Sequence, residues 1–150
     1  MYENEIRNAQ KQFTKLIEAQ LQRIDAIKHS QQIQEISSKK QIKIGICPGD
    51  GIGPIISKQA ETILHNLLHE ELISKHIEIC TINGLTLENR IEKKEAIPSN
   101  ILQEIKSCDV ILKGPTSTPR SGDDLPNIES ANVVMRKELD LYANIRPIAI

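Results

Sequence analysis

The chain reads as an α/β protein, a parallel βαβαβ unit preceded by one long N-terminal helix. Three observations carry that expectation. Apolar residues recur at three- and four-residue steps through residues 3–29. Short isoleucine-rich segments at 41–47, 76–82 and 109–112 alternate with stretches of helical period. A glycine-rich turn follows the first of these segments and a lysine-led hydroxyl loop follows the third.

Ile6, Phe13, Leu16, Ile17, Leu21, Ile24 and Ile27 put one apolar face on the first helix, and no Gly or Pro interrupts it. Such a helix serves as an extension packed on the body or a neighbouring subunit, or as a regulatory, partner-binding element. The polar stretch 29–40 reads as a linker, so residues 1–40 form a helical extension and 41–150 an α/β domain. Gln41–Cys47 alternates Ile42, Ile44 and Ile46 and enters Pro48-Gly49-Asp50-Gly51-Ile52-Gly53-Pro54. Pro54 suits a first helical position, and helical spacing continues to about His69. His76–Ile82 is the second strand, with Ile77, Ile79 and Thr81 opposed to Glu78 and Cys80. Asn83-Gly84 is a turn, Leu87–Glu95 a short weak helix, and Pro98 opens a better one through Ile105. Asp109–Leu112 is the third strand; 119–130 is a loop without apolar period. A helix from Ala131 to about Leu139, capped by Ser130, then gives way to an extended strand through Pro147.

Composition removes several function classes. At 150 residues the chain is long enough to bury about two thirds of its unfolded surface. A net charge of −1 offers no footprint for nucleic acid, and only Tyr2, Phe13 and Tyr142 are aromatic, so base stacking has few residues to use. No apolar run approaches the roughly 18 residues of a membrane span. Glu3, Glu5, Glu18 and Asp25 argue against an acid-poor transit peptide, which leaves the cytoplasm as the expected location. Cys47, Cys80 and Cys108 fit neither a disulfide framework nor a zinc site and read as buried thiols in a reducing compartment. His65 and His69 are four apart but lack the companion acid of a metalloprotease helix. No metal ligand is assigned.

Ligands of parallel α/β sheets gather at the carboxyl ends of the strands. Gly49, Gly51 and Gly53 stand there, at a spacing that departs from the dinucleotide fingerprint. They form either a tight turn that lets backbone approach backbone or a direct ligand contact. Asp50 can brace that turn by an internal hydrogen bond. Lys113, Thr116, Ser117 and Thr118 add a cation and three hydroxyls on the same rim. Ser130, Asn132, Arg136 and Arg146 supply donors suited to a small polycarboxylate, since each guanidinium can hold a carboxylate through two parallel bonds. Each arginine taken alone is a surface charge; together they read as a ligand clamp.

The segments GDGIGP, KGPTSTP and SANVVMRKELDLYANIRP, in that order, resemble the isocitrate and isopropylmalate dehydrogenase family of β-decarboxylating oxidoreductases. The resemblance runs from Ile42 to Pro147 and implies half of that family's fold, with the C-terminal half absent. It implies substrate contacts from Thr118, Ser130, Asn132, Arg136 and Arg146, and cofactor contacts from Lys113, Thr116 and Ser117. Ser130 and Asn132 match the isocitrate-specific pattern, whereas isopropylmalate dehydrogenases carry apolar residues where Ser130 stands. The implied reaction is oxidation of isocitrate by NAD or NADP, then decarboxylation to 2-oxoglutarate, assisted by Mg²⁺ or Mn²⁺. The family's metal-binding aspartates and its catalytic tyrosine and lysine follow the arginine motif, so no catalytic residue is expected within residues 1–150 and turnover by this chain alone is not expected. The stretch between Pro119 and Ser130, with Asp123 and Asp124, is longer than in short family members. Two other readings stand beside this one: a non-catalytic carboxylate-binding or regulatory chain that pairs with a full-length subunit, and an isopropylmalate or homoisocitrate dehydrogenase. A homo-oligomer such as a dimer is the expected assembly, and a role in the tricarboxylic acid cycle follows from isocitrate.

Overall fold

The structure, a computed structural model, describes residues 2–29, 35–120 and 122–148. Internal contacts divide the chain into two units, Met1–Ser38 and Lys39–Ile150. In the first, helix α1 runs Glu3–His29, the full length that the uninterrupted helical period dictates. Glu3 and Glu5 lie in its first turn and Lys28 and His29 in its last, each complementing the helix dipole at that end. None of its residues is buried. A 3-10 turn at Ile36–Ser38 closes the unit, while residues 30–34 of the expected linker lie outside the described residues.

The second unit follows the order β1 (Ile42–Cys47), α2 (Gly53–Leu67), α3 (His69–Ile73), β2 (Ile77–Thr81), α4 (Leu87–Lys93), α5 (Ser99–Lys106), β3 (Val110–Lys113) and α6 (Ala131–Glu138). The strands form a parallel sheet in the order β2-β1-β3, which confirms the expected parallel βαβαβ arrangement. Among the described residues no helix is long and apolar enough to cross a membrane.

Gly45 in central β1 pairs with Cys80 on one side and Ile111 on the other. A Cβ at Gly45 would stand 2.8 Å from Cys108 Sγ, Ile111 Cδ1 and Ile82 Cδ1, so the missing side chain makes room for its neighbours to close over the strand. That face continues into a core of Cys47, Ile82, Leu85, Ile101, Ile105 and Met135, which packs α5 and α6 on the sheet. Of the three thiols expected to be buried, only Cys47 is; Cys80 and Cys108 are half-buried, with their sulfurs 3.9 Å apart, and all three are free. Burial pushes the Cys47 thiol up to about 11, against the opposing pull of Lys113. On the opposite face Ile44, Ala60, Leu64 and Leu112 line a cleft of about 390 Å³ between α2 and the sheet.

At the carboxyl end of the sheet the turn after β1 and the loop after β3 are packed backbone to backbone. Gly49 has φ +73°, and a Cβ there would fall 2.0 Å from the Pro115 carbonyl oxygen. A Cβ at Gly114 would fall 2.0 Å from the Pro48 carbonyl oxygen. The approach is sealed by the Asp50 amide, which donates to the Pro115 carbonyl at 2.7 Å. These glycines are therefore used for close backbone contact.

Two expectations need correction. The strand expected over 139–147 is absent: α6 ends at a left-handed Asp140, φ 48°, and residues 141–148 form neither helix nor strand. The Asp140 amide donates to the Lys137 carbonyl and the Leu141 amide to the Arg136 carbonyl, both at 3.1 Å, a paired closure that turns the chain away from the helix axis. An extended segment becomes a strand only when a neighbour takes its amides and carbonyls, and no neighbour among the described residues does so here. Ser130 occupies the N-cap position of α6 with extended backbone, but its side chain makes no capping hydrogen bond.

Replacing Gly114 by Ala drives a methyl group into the Pro48 carbonyl and should destabilise the unit by about 1–3 kcal/mol. Urea unfolding measures this, and an unchanged midpoint would show that the two loops separate freely. Asp109 accepts from the Lys39 ammonium and, at 2.8 Å, from the Lys43 amide, which together hold its carboxyl below the usual carboxylate range. A depressed folded-state value stabilises the protein above the ordinary carboxylate range, about 3.9, and the benefit disappears as pH falls through the lowered value. The stability gap between wild type and Asp109→Asn should accordingly be constant near neutral pH and shrink below about pH 4 in urea titrations.

Candidate functional site

The turn after β1 and the loop after β3 leave neighbouring parallel strands at the same end, where open α/β sheets bind ligands. Asp50 lies at the junction, and among the described residues its carboxylate bonds to two other segments in place of the internal brace of its own turn expected from the sequence. Oδ1 accepts from the Leu87 amide at 2.8 Å, and Oδ2 accepts from the Ser117 amide at 2.7 Å. One side chain thus ties the glycine turn to the start of α4 and to the hydroxyl loop.

Arg90 holds the same loop from the other side. It is completely buried, and its guanidinium donates from Nε to the Ala96 carbonyl at 2.7 Å, from Nη1 to the Ser117 carbonyl at 2.7 Å, and from Nη2 to the Glu129 carbonyl at 2.9 Å. Among the described residues no carboxylate pairs with it. Burial depresses its proton affinity, partly offset by the charge of Asp50. Ser117 therefore has its amide fixed by Asp50 and its carbonyl fixed by Arg90, while its side chain stays exposed. Sequence reasoning missed Arg90 as a scaffold of the site and named Asp50 only as a brace of its own turn. A signal for Arg90 existed, since it lies three residues after Leu87 and beside Ile91, on the inward side of α4.

Lys113, the last residue of β3, is half-buried and donates to the Gly114 carbonyl at 2.8 Å and to Thr116 Oγ1 at 3.0 Å. Burial pulls its ammonium below the usual lysine range, and the Arg90 charge acts in the same direction. The lysine thus organises the loop directly, and it also lines a cleft of about 520 Å³ with Asp109, Met135 and Leu141. Thr118, next in the loop, is exposed.

Because Arg90 bonds to both Ser117 and Glu129, the hydroxyl loop lies against the entry to α6. Ala131 and Met135 are buried and hold that helix on the core. Asn132 and Arg136, four apart, share its exposed side. Neighbouring charges are already paired, Lys137 with Glu129 at 3.0 Å and Lys106 with Glu138 at 2.8 Å. Among the described residues no carboxylate pairs with Arg136. The structure therefore sets the loop of Lys113, Thr116 and Ser117 against the entry, at Ser130, to the helix that carries Asn132 and Arg136. Arg146 is exposed in the segment after α6, and no hydrogen bond or ion pair among the described residues joins it to them. Among the described residues no group of three His, Cys, Asp or Glu side chains is arranged to hold a metal ion.

The family profile described as isocitrate/isopropylmalate dehydrogenase matches residues 43–150. The chain is 34% identical over 115 residues to a 3-isopropylmalate dehydrogenase of Carboxydothermus hydrogenoformans, covering 75% of this chain and 30% of the relative. It is 38% identical over 112 residues to a 3-isopropylmalate dehydrogenase of Aquifex aeolicus, with coverage of 72% and 29%. A homoisocitrate dehydrogenase of Methanocaldococcus jannaschii is 32% identical over 107 residues, with coverage of 71% and 28%. Among solved structures, the apo form of a beta-decarboxylating dehydrogenase from Thermococcus kodakarensis superposes with a TM-score of 0.53 at 30% identity, covering 68% of this chain and 28% of that one. The chain thus spans under a third of the length of these proteins. With β2, β3 and α6 all inside the matched range, the chain belongs to the isocitrate/isopropylmalate dehydrogenase family.

Proposed function

We propose that this chain supplies the hydroxy-acid-binding rim of an NAD- or NADP-dependent dehydrogenase that oxidises and decarboxylates isocitrate. The observation that carries this reading is the surface of α6. Arg136 has no carboxylate partner among the described residues, although Lys137 and Glu138 beside it are both paired. Asn132 shares its side of the helix, and the Ser130 hydroxyl at the helix entry is unused in capping. Ser130 and Asn132 at the positive end of the helix and Arg136 in its last turn are donors suited to a substrate with several carboxylates. Arg146 completes the clamp when the segment after α6 folds back over it.

The chain's own residues bind and orient. Arg136 takes a carboxylate by its planar fork, and Ser130 and Asn132 donate to the carboxylate that isocitrate carries where 3-isopropylmalate has a hydrocarbon group. Thr118 extends the same set of donors from the rim. The exposed Ser117 hydroxyl and the Lys113–Thr116 pair form the side of the rim facing a nicotinamide cofactor, whose chemistry when bound is to accept the hydride. A divalent metal is the family's usual Lewis acid. The described residues of this chain do not themselves form a site for it, so no step is assigned to one here. In this reading residues 41–150 form part of the dehydrogenase domain, and the protein works as a homo-oligomer or paired with another subunit.

A second reading, 3-isopropylmalate or homoisocitrate as substrate, is favoured by the names of the relatives above. Titration calorimetry separates the readings. Isocitrate should bind more tightly than 3-isopropylmalate, and Arg136→Ala should weaken it by about 10- to 100-fold, the equivalent of the roughly 1.5–3 kcal/mol carried by a charge-assisted hydrogen bond. Ser130→Leu should reverse the order of the two ligands. Tighter binding of 3-isopropylmalate by the wild type, or an Arg136→Ala protein of undiminished affinity, would overturn the isocitrate assignment.

A further inference from the structure

Arg90 is the only fully buried charged side chain among the described residues, and it meets carbonyls alone. Burying a cation without an anion partner is an expensive way to fill space, and an apolar side chain of similar volume would do so at lower cost. What a guanidinium adds is a rigid, planar set of donors at fixed angles. Here those donors join three separate segments: the turn after α4 at Ala96, the hydroxyl loop at Ser117, and residue Glu129 just before α6. The second segment carries Ser117 and Thr118, and the third leads directly into Ser130, Asn132 and Arg136. Asp50 fixes the peptide before Ser117 and Arg90 the peptide after it, so a shift of the Arg90 fork moves the loop relative to α6 rather than carrying both along.

We propose that Arg90 is a positioning residue that sets the spacing between the rim hydroxyls and the α6 clamp, so that one hydroxy-polycarboxylate meets both. The inference rests on the functional reading above. Lysine cannot replace arginine in this role, because a compact ammonium has no planar fork to span three carbonyls. The charge at this position is therefore secondary to its geometry.

Hydrogen–deuterium exchange on the full chain without ligand tests the coupling first. In Arg90→Lys, peptides covering 114–120 and 127–133 should exchange faster together, while those covering 42–47 and 53–67 keep their protection. In Arg90→Ala, millimolar guanidinium should restore protection to both loops, a rescue that a merely space-filling residue would not show. Calorimetry at a temperature where all proteins are folded should give isocitrate affinity lowered about tenfold in Arg90→Lys, equivalent to 1.4 kcal/mol. Uniform loss of protection, loosening of one loop alone, or loosened loops with unchanged affinity would each overturn the proposal. If the wild type takes no heat from isocitrate, the substrate reading falls, and the ligand-free exchange still decides whether Arg90 couples the loops. If neither variant folds, the wild type decides: isocitrate must raise protection in both peptides at once, and protection of only one overturns the inference.

Discussion

The Asp50 carboxylate is the contact on which the rim depends. Three chain segments, far apart in sequence, converge on it: its own glycine turn, the start of α4, and the loop after β3. Each carboxylate oxygen accepts from a backbone amide, and hydrogen bonds to a charged acceptor are stronger than neutral ones. The convergence is possible only because Gly49 and Gly114 let the two loops touch main chain to main chain. Side chains at either position would hold the loops apart and leave the Ser117 amide out of reach. Of the three glycines in that turn, Gly49 is thus explained by packing between loops, Gly53 by its approach to the Pro48 carbonyl within the turn, and Gly51 by its positive φ.

Asp50 and Arg90 grip the two successive peptides that flank Ser117, yet their electrostatic circumstances differ. The aspartate's acceptors are taken by two amides, and the arginine's donors are taken by three carbonyls. Neither has the other as a direct partner; they interact only through space. Neutral dipoles surrounding a charge stabilise it without cancelling its long-range field. Lys113 adds a second cation, bonded to a carbonyl and a hydroxyl in place of a carboxylate. Two buried or half-buried cations against one anion leave this end of the sheet with a positive excess. An anionic ligand arriving there is favoured before it makes a single hydrogen bond.

Much of this architecture was legible in the sequence because it is local. The apolar period of α1, the alternation of β1 and the glycine turn each depend on residues within one segment, and the structure places them where the pattern indicates. The failures are of a different kind. Nothing local in Leu-Asp-Leu-Tyr-Ala-Asn reveals whether a neighbouring strand will take its amides, so a good strand sequence remains unpaired. Ser130 has the residue type of a cap, but capping needs the hydroxyl to turn toward its own helix, and here it does not. Helical spacing from Leu87 puts Arg90 on the inward side of α4, but only the fold places the Ser117 and Glu129 carbonyls around it. Pairwise contacts at 27 and 39 residues' separation leave no periodic trace.

These features bear on how one scaffold within the family serves substrates that differ in a single group. The loop after β3 and the entry to α6 are held at a set distance by backbone contacts to Arg90, so the side chains at Ser130 and Asn132 can change without moving the frame. Ser130 is at the helix entry but does not cap it, and its replacement by an apolar residue would forfeit no capping bond. On the proposed reading, that position is therefore free to follow the ligand: a hydroxyl where a third carboxylate must be met, a hydrocarbon where an isopropyl group must be buried. A buried carboxylate left without donors costs several kcal/mol, and an isopropyl group against a serine forfeits apolar burial. On the proposed reading, specificity resides in the half-buried Ser130 and the exposed Asn132 at the start of α6, while the buried Arg90 and the Asp50 clasp supply the frame that carries them.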